Sequence, residues 1–246
     1  MGTNSRGFTV IEVMIFLAIS GMLLIGALMA SARLFANTRF QDGMLNFESQ
    51  LQRQYEQAWS GVNPRLNGGC NNSTVTGGSD TPGTTDCLLL GKVVVFEPNS
   101  SNTYIFKVVG TEPALPPSSV QPLSQILASY DPQSVPSSQE LYDVPWGIYF
   151  QAGRRSDNAP VNAIAFLRSP VSSQMVIYHF ATPALSGAPI ALDSVVSGAG
   201  STGAASYCFA GREGFLGQYR SAINVSQTQG SSAIQAQIDL AGATPC

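Results

Sequence analysis

The amino-acid sequence predicts an α+β protein in which one long N-terminal helix packs on a mainly antiparallel β-sheet. From Val13 to Ala32 the chain carries no charged residue, and this run is long enough to cross a bilayer as a helix. Apolar residues then recur at spacings of three and four until about Ser60, as they do on one face of a helix. Beyond Pro64, short apolar runs between Gly-, Ser- and Pro-rich segments are typical of strands and turns.

The long helix is predicted to have two different halves. Residues 8–60 contain no proline, so one continuous helix can run through them. Residues 8–32 are apolar on all sides, and residues 33–61 are amphipathic. The predicted buried stripe of the second half is Phe40, Met44, Phe47, Leu51, Tyr55 and Ala58. We expect the first half to lie in a membrane and the second half to pack on a globular head formed by residues 62–246.

The head is predicted from short apolar runs. Residues 67–86 are rich in Gly, Ser, Thr and Asn and predict a surface loop. Residues 112–145 hold many of the prolines and predict a long connection, and residues 182–205 are small and loosely patterned. Strands are predicted at 88–96, 104–109, 147–150, 163–167, 175–180, 207–209, 219–225 and 233–240, and a short helix at 123–128.

The most informative local pattern is the run RGFTVIE at residues 6–12, where the apolar segment begins. Glu12 lies just inside that segment, where an unpaired charge is costly. The sequence suggests no nearby partner for Glu12, except the amino group that a cut after Gly7 would create on Phe8. Arg6 favours a cytoplasmic location for the leader, residues 1–7.

This pattern, with the apolar helix behind it, resembles the type IV pilin-like family over about the first quarter of the chain. The resemblance implies that a membrane peptidase cuts between Gly7 and Phe8 and methylates the new amino terminus of Phe8. It implies that Glu12 helps subunits assemble, through a salt bridge to the Phe8 amino group of a neighbouring subunit. The implied partners are other pilin subunits, the prepilin peptidase and methyltransferase, and the inner-membrane assembly platform.

Within that family, the size of the head favours a minor pilin. Such a subunit is a single-pass precursor in the cytoplasmic membrane and then part of an extracellular or periplasmic filament, where its head can contact a surface or DNA. A pseudopilin of a type II secretion or DNA-uptake system is the alternative. Outside the family, Ala30-Ser31-Ala32 resembles a signal-peptide cleavage site that would release a binding domain starting at Arg33. An uncleaved anchor with an outer binding domain is the third possibility.

Four cysteines, Cys70, Cys87, Cys208 and Cys246, allow three disulfide pairings. We favour Cys70–Cys87 and Cys208–Cys246, because each pair brackets one segment. The second pair also resembles the disulfide-bounded C-terminal region of many pilins. None of the four forms a Cys-x-x-Cys pair and the chain has one histidine, so we expect no metal site.

The sequence indicates a structural protein rather than an enzyme, with no cofactor and no small-molecule substrate. His179 lies in an apolar strand pattern, which favours a structural role over general-base catalysis. The net charge of −3 and the 11% of charged residues give no indication of a polybasic nucleic-acid surface. Arg154 and Arg155 form an isolated basic pair in a predicted turn; we expect both to be solvated, with a weak contact to an anionic surface as the alternative.

Overall fold

The structure is a computed structural model. It describes residues 9–60, 69–71, 74–76, 87–111, 121–182, 189–198, 202–211, 219–226 and 233–239.

One helix, α1, spans Val10–Ser60 and is about 77 Å long at 1.5 Å per residue. Its apolar half extends away from the rest of the protein, and packing begins at Phe40. The predicted stripe from Phe40 to Ala58 is confirmed, because all six of its members are at most 3% exposed. Gly43 lies on the packed half, where an added Cβ would lie 2.5 Å from Ile148 Cδ1. A larger residue there would require the Ile148 side chain to move.

Within the described residues, the head contains two main antiparallel sheets rather than the single sheet that the sequence predicted. The six strands of the first sheet are β3 (Cys87–Phe96), β4 (Asn102–Thr111), β5 (Gln133–Ser134), β6 (Glu140–Asp143), β8 (Ala163–Arg168) and β9 (Met175–Phe180). Five of them follow the order β5-β4-β3-β8-β9, and β6 also pairs with β4. The four strands of the second sheet are β7 (Ile148–Arg155), β10 (Ala205–Gly211), β11 (Arg220–Val225) and β12 (Ile234–Asp239). Their order is β12-β11-β10-β7.

The inner faces of both sheets and the stripe of α1 share one hydrophobic core. Phe47 of α1 lies at its centre, with ring centroids 6.1 Å from Phe96 of β3 and 5.1 Å from Phe209 of β10. The opposite face of the six-stranded sheet forms a second core with α2 (Leu123–Ala128) and α3 (Asp193–Ser197). Strand β3 supplies both cores because its side chains alternate: Val94 faces the first, and Val93 and Val95 face the second.

A buried polar contact also fastens α1 to the six-stranded sheet. Lys92 of β3 is 6% exposed, and its ammonium group donates hydrogen bonds to the side-chain carbonyls of Gln54 and Gln57. Burial lowers the pKa of Lys92. Because two amide oxygens replace the lost water, the free-energy cost of burying the charged ammonium group is partly offset.

Several predicted connections contain regular structure. Residues 67–86 include a small hairpin, β1 (Gly69–Asn71) with β2 (Thr74–Thr76), so the prediction of a loop throughout was wrong. Strands β5 and β6 lie in the predicted connection 112–145, and α3 lies in the loosely patterned 182–205. These elements escaped prediction because they are short and largely polar, and backbone pairing with a neighbour produces strands without an apolar period. The helix predicted at 123–128 is confirmed.

Candidate assembly site at the start of the long helix

The first turn of α1 is closed by reciprocal hydrogen bonds between Thr9 and Glu12. The backbone N–H of Thr9 donates to Glu12 Oε2 over 2.9 Å, and the Thr9 hydroxyl donates to the same oxygen over 3.0 Å. The backbone N–H of Glu12 donates to Thr9 Oγ1 over 3.3 Å. This arrangement is a capping box, with Thr9 at the N-cap and Glu12 at the third helical position.

The capping box corrects the prediction that the chain offers Glu12 no nearby partner of its own. The sequence carries the signal for it, since Thr-x-x-Glu at residues 9–12 directly precedes an apolar run. Thr9 is neutral, so its hydrogen bonds orient the carboxylate without compensating its charge. In sequence the basic residues nearest to Glu12 are Arg6 and Arg33. The negative charge at this position therefore still lacks a local cation in the helix.

The helix that carries this carboxylate is exposed on every side through its apolar half. From Val10 to Met29 the large apolar side chains are between 46% and 80% exposed. The most apolar 18-residue stretch of α1 has a mean hydropathy of 2.5, and none of its residues is buried. By length and composition, α1 can cross a membrane. So much apolar surface requires lipid or other helices around it.

Other predicted site residues lie outside the part of the chain that the structure describes. These are Gly7 and Phe8, the side chains of Cys70 and Cys87, and Cys246. Cys208 is described: it lies in β10, is 6% exposed and is disulfide-bonded. Its partner's side chain is not among those described, so both pairings stay predictions.

His179 is fully buried between the two sheets. Its Nδ1 lies 2.8 Å from the hydroxyl of Tyr207 in β10, and that hydroxyl donates to the carbonyl of Ala163 over 3.1 Å. Burial, with a smaller contribution from the nearby positive charge of Arg155, lowers the pKa of His179 to about 4. The neutral imidazole therefore connects β9 of one sheet to β10 of the other, and this contact is structural. Within the described ranges, no cluster of His, Cys, Asp and Glu could hold a metal ion.

The two arginines of the predicted turn lie at the end of strand β7 instead. Arg155 is bound to Asp157 by two hydrogen bonds, one of them from Nε to Oδ1 over 2.9 Å. These bonds lower the pKa of Asp157 to about 2. Arg154 is exposed on the neighbouring position. The pair therefore divides into one arginine with a partner and one that faces solvent.

Residues 2–28 match the family model described as the prokaryotic N-terminal methylation motif. This chain carries the N-terminal motif of type IV pilin-like proteins. No curated protein matches it, and no solved structure matches it.

The matched segment of this pilin-like protein covers the capping box and most of the exposed half of α1. Proteins with this motif are structural subunits rather than catalysts. The motif implies assembly with other pilin subunits and processing by a prepilin peptidase. The apolar helix is consistent with a membrane-anchored precursor.

Proposed function

We propose that this pilin-like chain is a minor pilin of a type IV pilus or a related filament. The leader, residues 1–7, is removed between Gly7 and Phe8, and Phe8 is methylated. Residues 8–32 then leave the cytoplasmic membrane and enter the filament core with the help of the assembly platform. Residues 33–61 support the head, residues 62–246, which is displayed outside the cell or in the periplasm.

The observation that carries this proposal is the continuity of α1 from an exposed apolar half into a half that is packed on the head. The helix runs without interruption through Ala30 and Ala32, where a signal peptidase would cut. A cut there would split the helix and discard its exposed apolar half. A filament subunit needs that half, because it moves from lipid to neighbouring helices while the second half carries the head. The continuous helix therefore supports a filament subunit over a released binding domain.

Glu12 is the residue that we assign to assembly. A carboxylate among apolar helices is stable only beside a close, hydrogen-bonded cation. The methylated amino group of Phe8 on a neighbouring subunit would supply that cation. Thr9 already holds the Glu12 carboxylate at the start of the helix, so the group is oriented before the partner arrives.

Two substitutions separate the charge of Glu12 from its role in the capping box. Glu12→Gln keeps an acceptor for the N–H of Thr9 but removes the charge, whereas Glu12→Val removes both. We expect both variants to remain in the membrane fraction and to be lost from sheared filaments. The measurement is the ratio of filament-bound to membrane-bound protein, quantified by mass spectrometry.

Recovery of Glu12→Gln at the wild-type ratio would contradict the charge pairing and leave only helix capping. Filament composition also tests the role of the subunit. We expect a small share of this chain beside a more abundant pilin. Its absence from surface filaments, together with a defect in secretion or DNA uptake on deletion, would instead identify a pseudopilin.

The cysteines complete the proposal. We assign the pairs Cys70–Cys87 and Cys208–Cys246, and the disulfide at Cys208 supports bridged cysteines in the head. Peptide mapping without reduction should recover these two linked pairs. Linked peptides that join Cys87 to Cys208 would contradict the assignment.

A further inference from the structure

A row of polar side chains crosses the outward face of the four-stranded sheet. Alternate residues of β10, such as Tyr207 and Phe209, point into the core, so Ser206 lies on the opposite face. In register, Ser206 pairs with Arg154 of β7 on one side and with Asn224 of β11 on the other. The strand register thus places one positive and two neutral polar side chains next to one another.

These three residues line an open groove of about 420 Å³. The volume falls within the roughly 300–1,000 Å³ typical of small-ligand sites. The turn after β7 contributes Ser156 and Asn158 to the lining, and Ala204 precedes β10 on the same side. The groove combines hydroxyl and amide groups with small apolar side chains.

The polar groups in the groove are held in place by one another. The Ser206 hydroxyl donates to Asn224 Oδ1, and Asn224 Nδ2 donates to Gln237 Oε1 over 3.1 Å. The Asn224 amide is therefore fixed in orientation by its two neighbours. A ligand that binds such groups loses little of its binding energy to ordering side chains.

The groove presents one uncompensated positive charge. Arg155, which also lines the groove, is paired with Asp157 in the one ion pair found among the described residues. No carboxylate in the described part of the chain lies within ion-pair distance of Arg154, which is exposed. A ligand that complements this lining carries one acidic group for the guanidinium and several hydroxyl groups for the serine and asparagine side chains.

We propose that this groove binds a carboxylate-bearing glycan, with the sugar carboxylate on Arg154 and ring hydroxyls on Ser206 and Asn224. A nucleic acid fits less well, because phosphate recognition needs several cations and the whole chain has a net charge of −3. Bases also need aromatic platforms, and none of the described residues that line the groove is aromatic. The proposal goes beyond the filament role and holds for a minor pilin and for a pseudopilin alike.

The test is isothermal titration of the full chain in detergent micelles with an oligogalacturonate. Two matched ligands are titrated alongside: the methyl-esterified oligomer, which lacks the charge, and an oligothymidylate. We expect saturable binding of the oligogalacturonate and at least about tenfold weaker binding of the ester, because a charge-assisted contact is lost. We expect the oligothymidylate to bind at least as weakly as the ester.

Variants locate the binding. Arg154→Gln and Asn224→Ala should each weaken oligogalacturonate binding, the first by about tenfold. The control Arg168→Gln removes an arginine from β8 of the other sheet and should leave affinity unchanged. Thermal unfolding of each variant shows whether the fold is intact. Three results would overturn the proposal: no oligogalacturonate binding at millimolar concentration, equal binding of the ester, or undiminished affinity in a folded Arg154→Gln variant. Preferential binding of oligothymidylate would do the same.

Discussion

Because the one histidine of the chain is buried between the two sheets, the free energy of unfolding of the head should depend on pH. His179 is fully buried beside Tyr207, and its pKa in the folded protein is lowered to about 4 from an ordinary value of 6.5, chiefly by loss of hydration. Between these two pH values the unfolded chain binds a proton at His179 that the folded protein does not. Acid must therefore destabilise the fold through this residue.

The sign and size follow from the two pKa values. The contribution of His179 is present in full above pH 6.5 and is lost as the pH falls toward 4. Each pKa unit corresponds to about 1.4 kcal/mol, so the full loss, reached below pH 4, is about 3.5 kcal/mol, and about 3 kcal/mol of it has occurred by pH 4. That amount is a substantial part of the roughly 5–15 kcal/mol that stabilises a typical domain.

Chemical unfolding of the full chain in detergent, repeated between pH 7 and pH 4, measures this loss. Carboxylates also titrate toward the lower end of that range, so the informative quantity is the difference between the wild type and His179→Gln. We expect the wild type to lose about 3 kcal/mol more than the variant over that interval. The variant keeps a polar group beside Tyr207 but cannot take up a proton there.

A direct titration checks the same reasoning without a variant. Because the chain has one histidine, its imidazole C–H resonance can be followed by NMR without ambiguity. A folded-state pKa near 6.5, or identical pH dependence of the wild type and His179→Gln, would refute the argument. Either result would mean that water reaches the imidazole between the sheets.

Two further predictions concern packing. Phe47→Ala should destabilise the head by about 3–5 kcal/mol, because it removes a buried ring at the centre of the core. Its control is Leu45→Ala on the same helix. Leu45 is 54% exposed, so this substitution should change thermal unfolding little. Gly153→Ala should lower the unfolding temperature markedly or prevent folding, because an added Cβ would lie 2.2 Å from the Val161 carbonyl oxygen. Gly21→Ala serves as its control, since an added Cβ there meets nothing within 4 Å. A mild effect of either packing substitution would contradict the close contacts in the head.

The sequence was sufficient to predict α1 and its buried stripe. Each spacing from Phe40 to Ala58 is three or four residues over about five turns, and few other arrangements produce such a pattern. Strands such as β3 and β9 were also predicted, because each holds a run of β-branched or aromatic residues. Helical periodicity is clear in α1 because one face of its second half is buried, whereas β3 and β9 are buried on both faces and appear in the sequence as continuous apolar runs.

What the sequence did not predict depends on contacts between distant residues. The division into two sheets depends on which strands pair, and the residue pattern within one strand does not specify its partner. The cross-strand row of Arg154, Ser206 and Asn224 needs the register of three strands separated in sequence. The capping box is different, because Thr9 and Glu12 are local and the motif was readable.

The most direct test of the proposed assembly is the N-terminal residue of protein recovered from sheared filaments. Mass spectrometry of the N-terminal peptide is expected to show methylated Phe8, which requires a cut after Gly7 before assembly. A peptide beginning at Arg33 would mean that the apolar helix half is discarded, and one that retains residues 1–7 would mean that no new amino group is available to Glu12. Either result would contradict assembly through a newly exposed N-terminus.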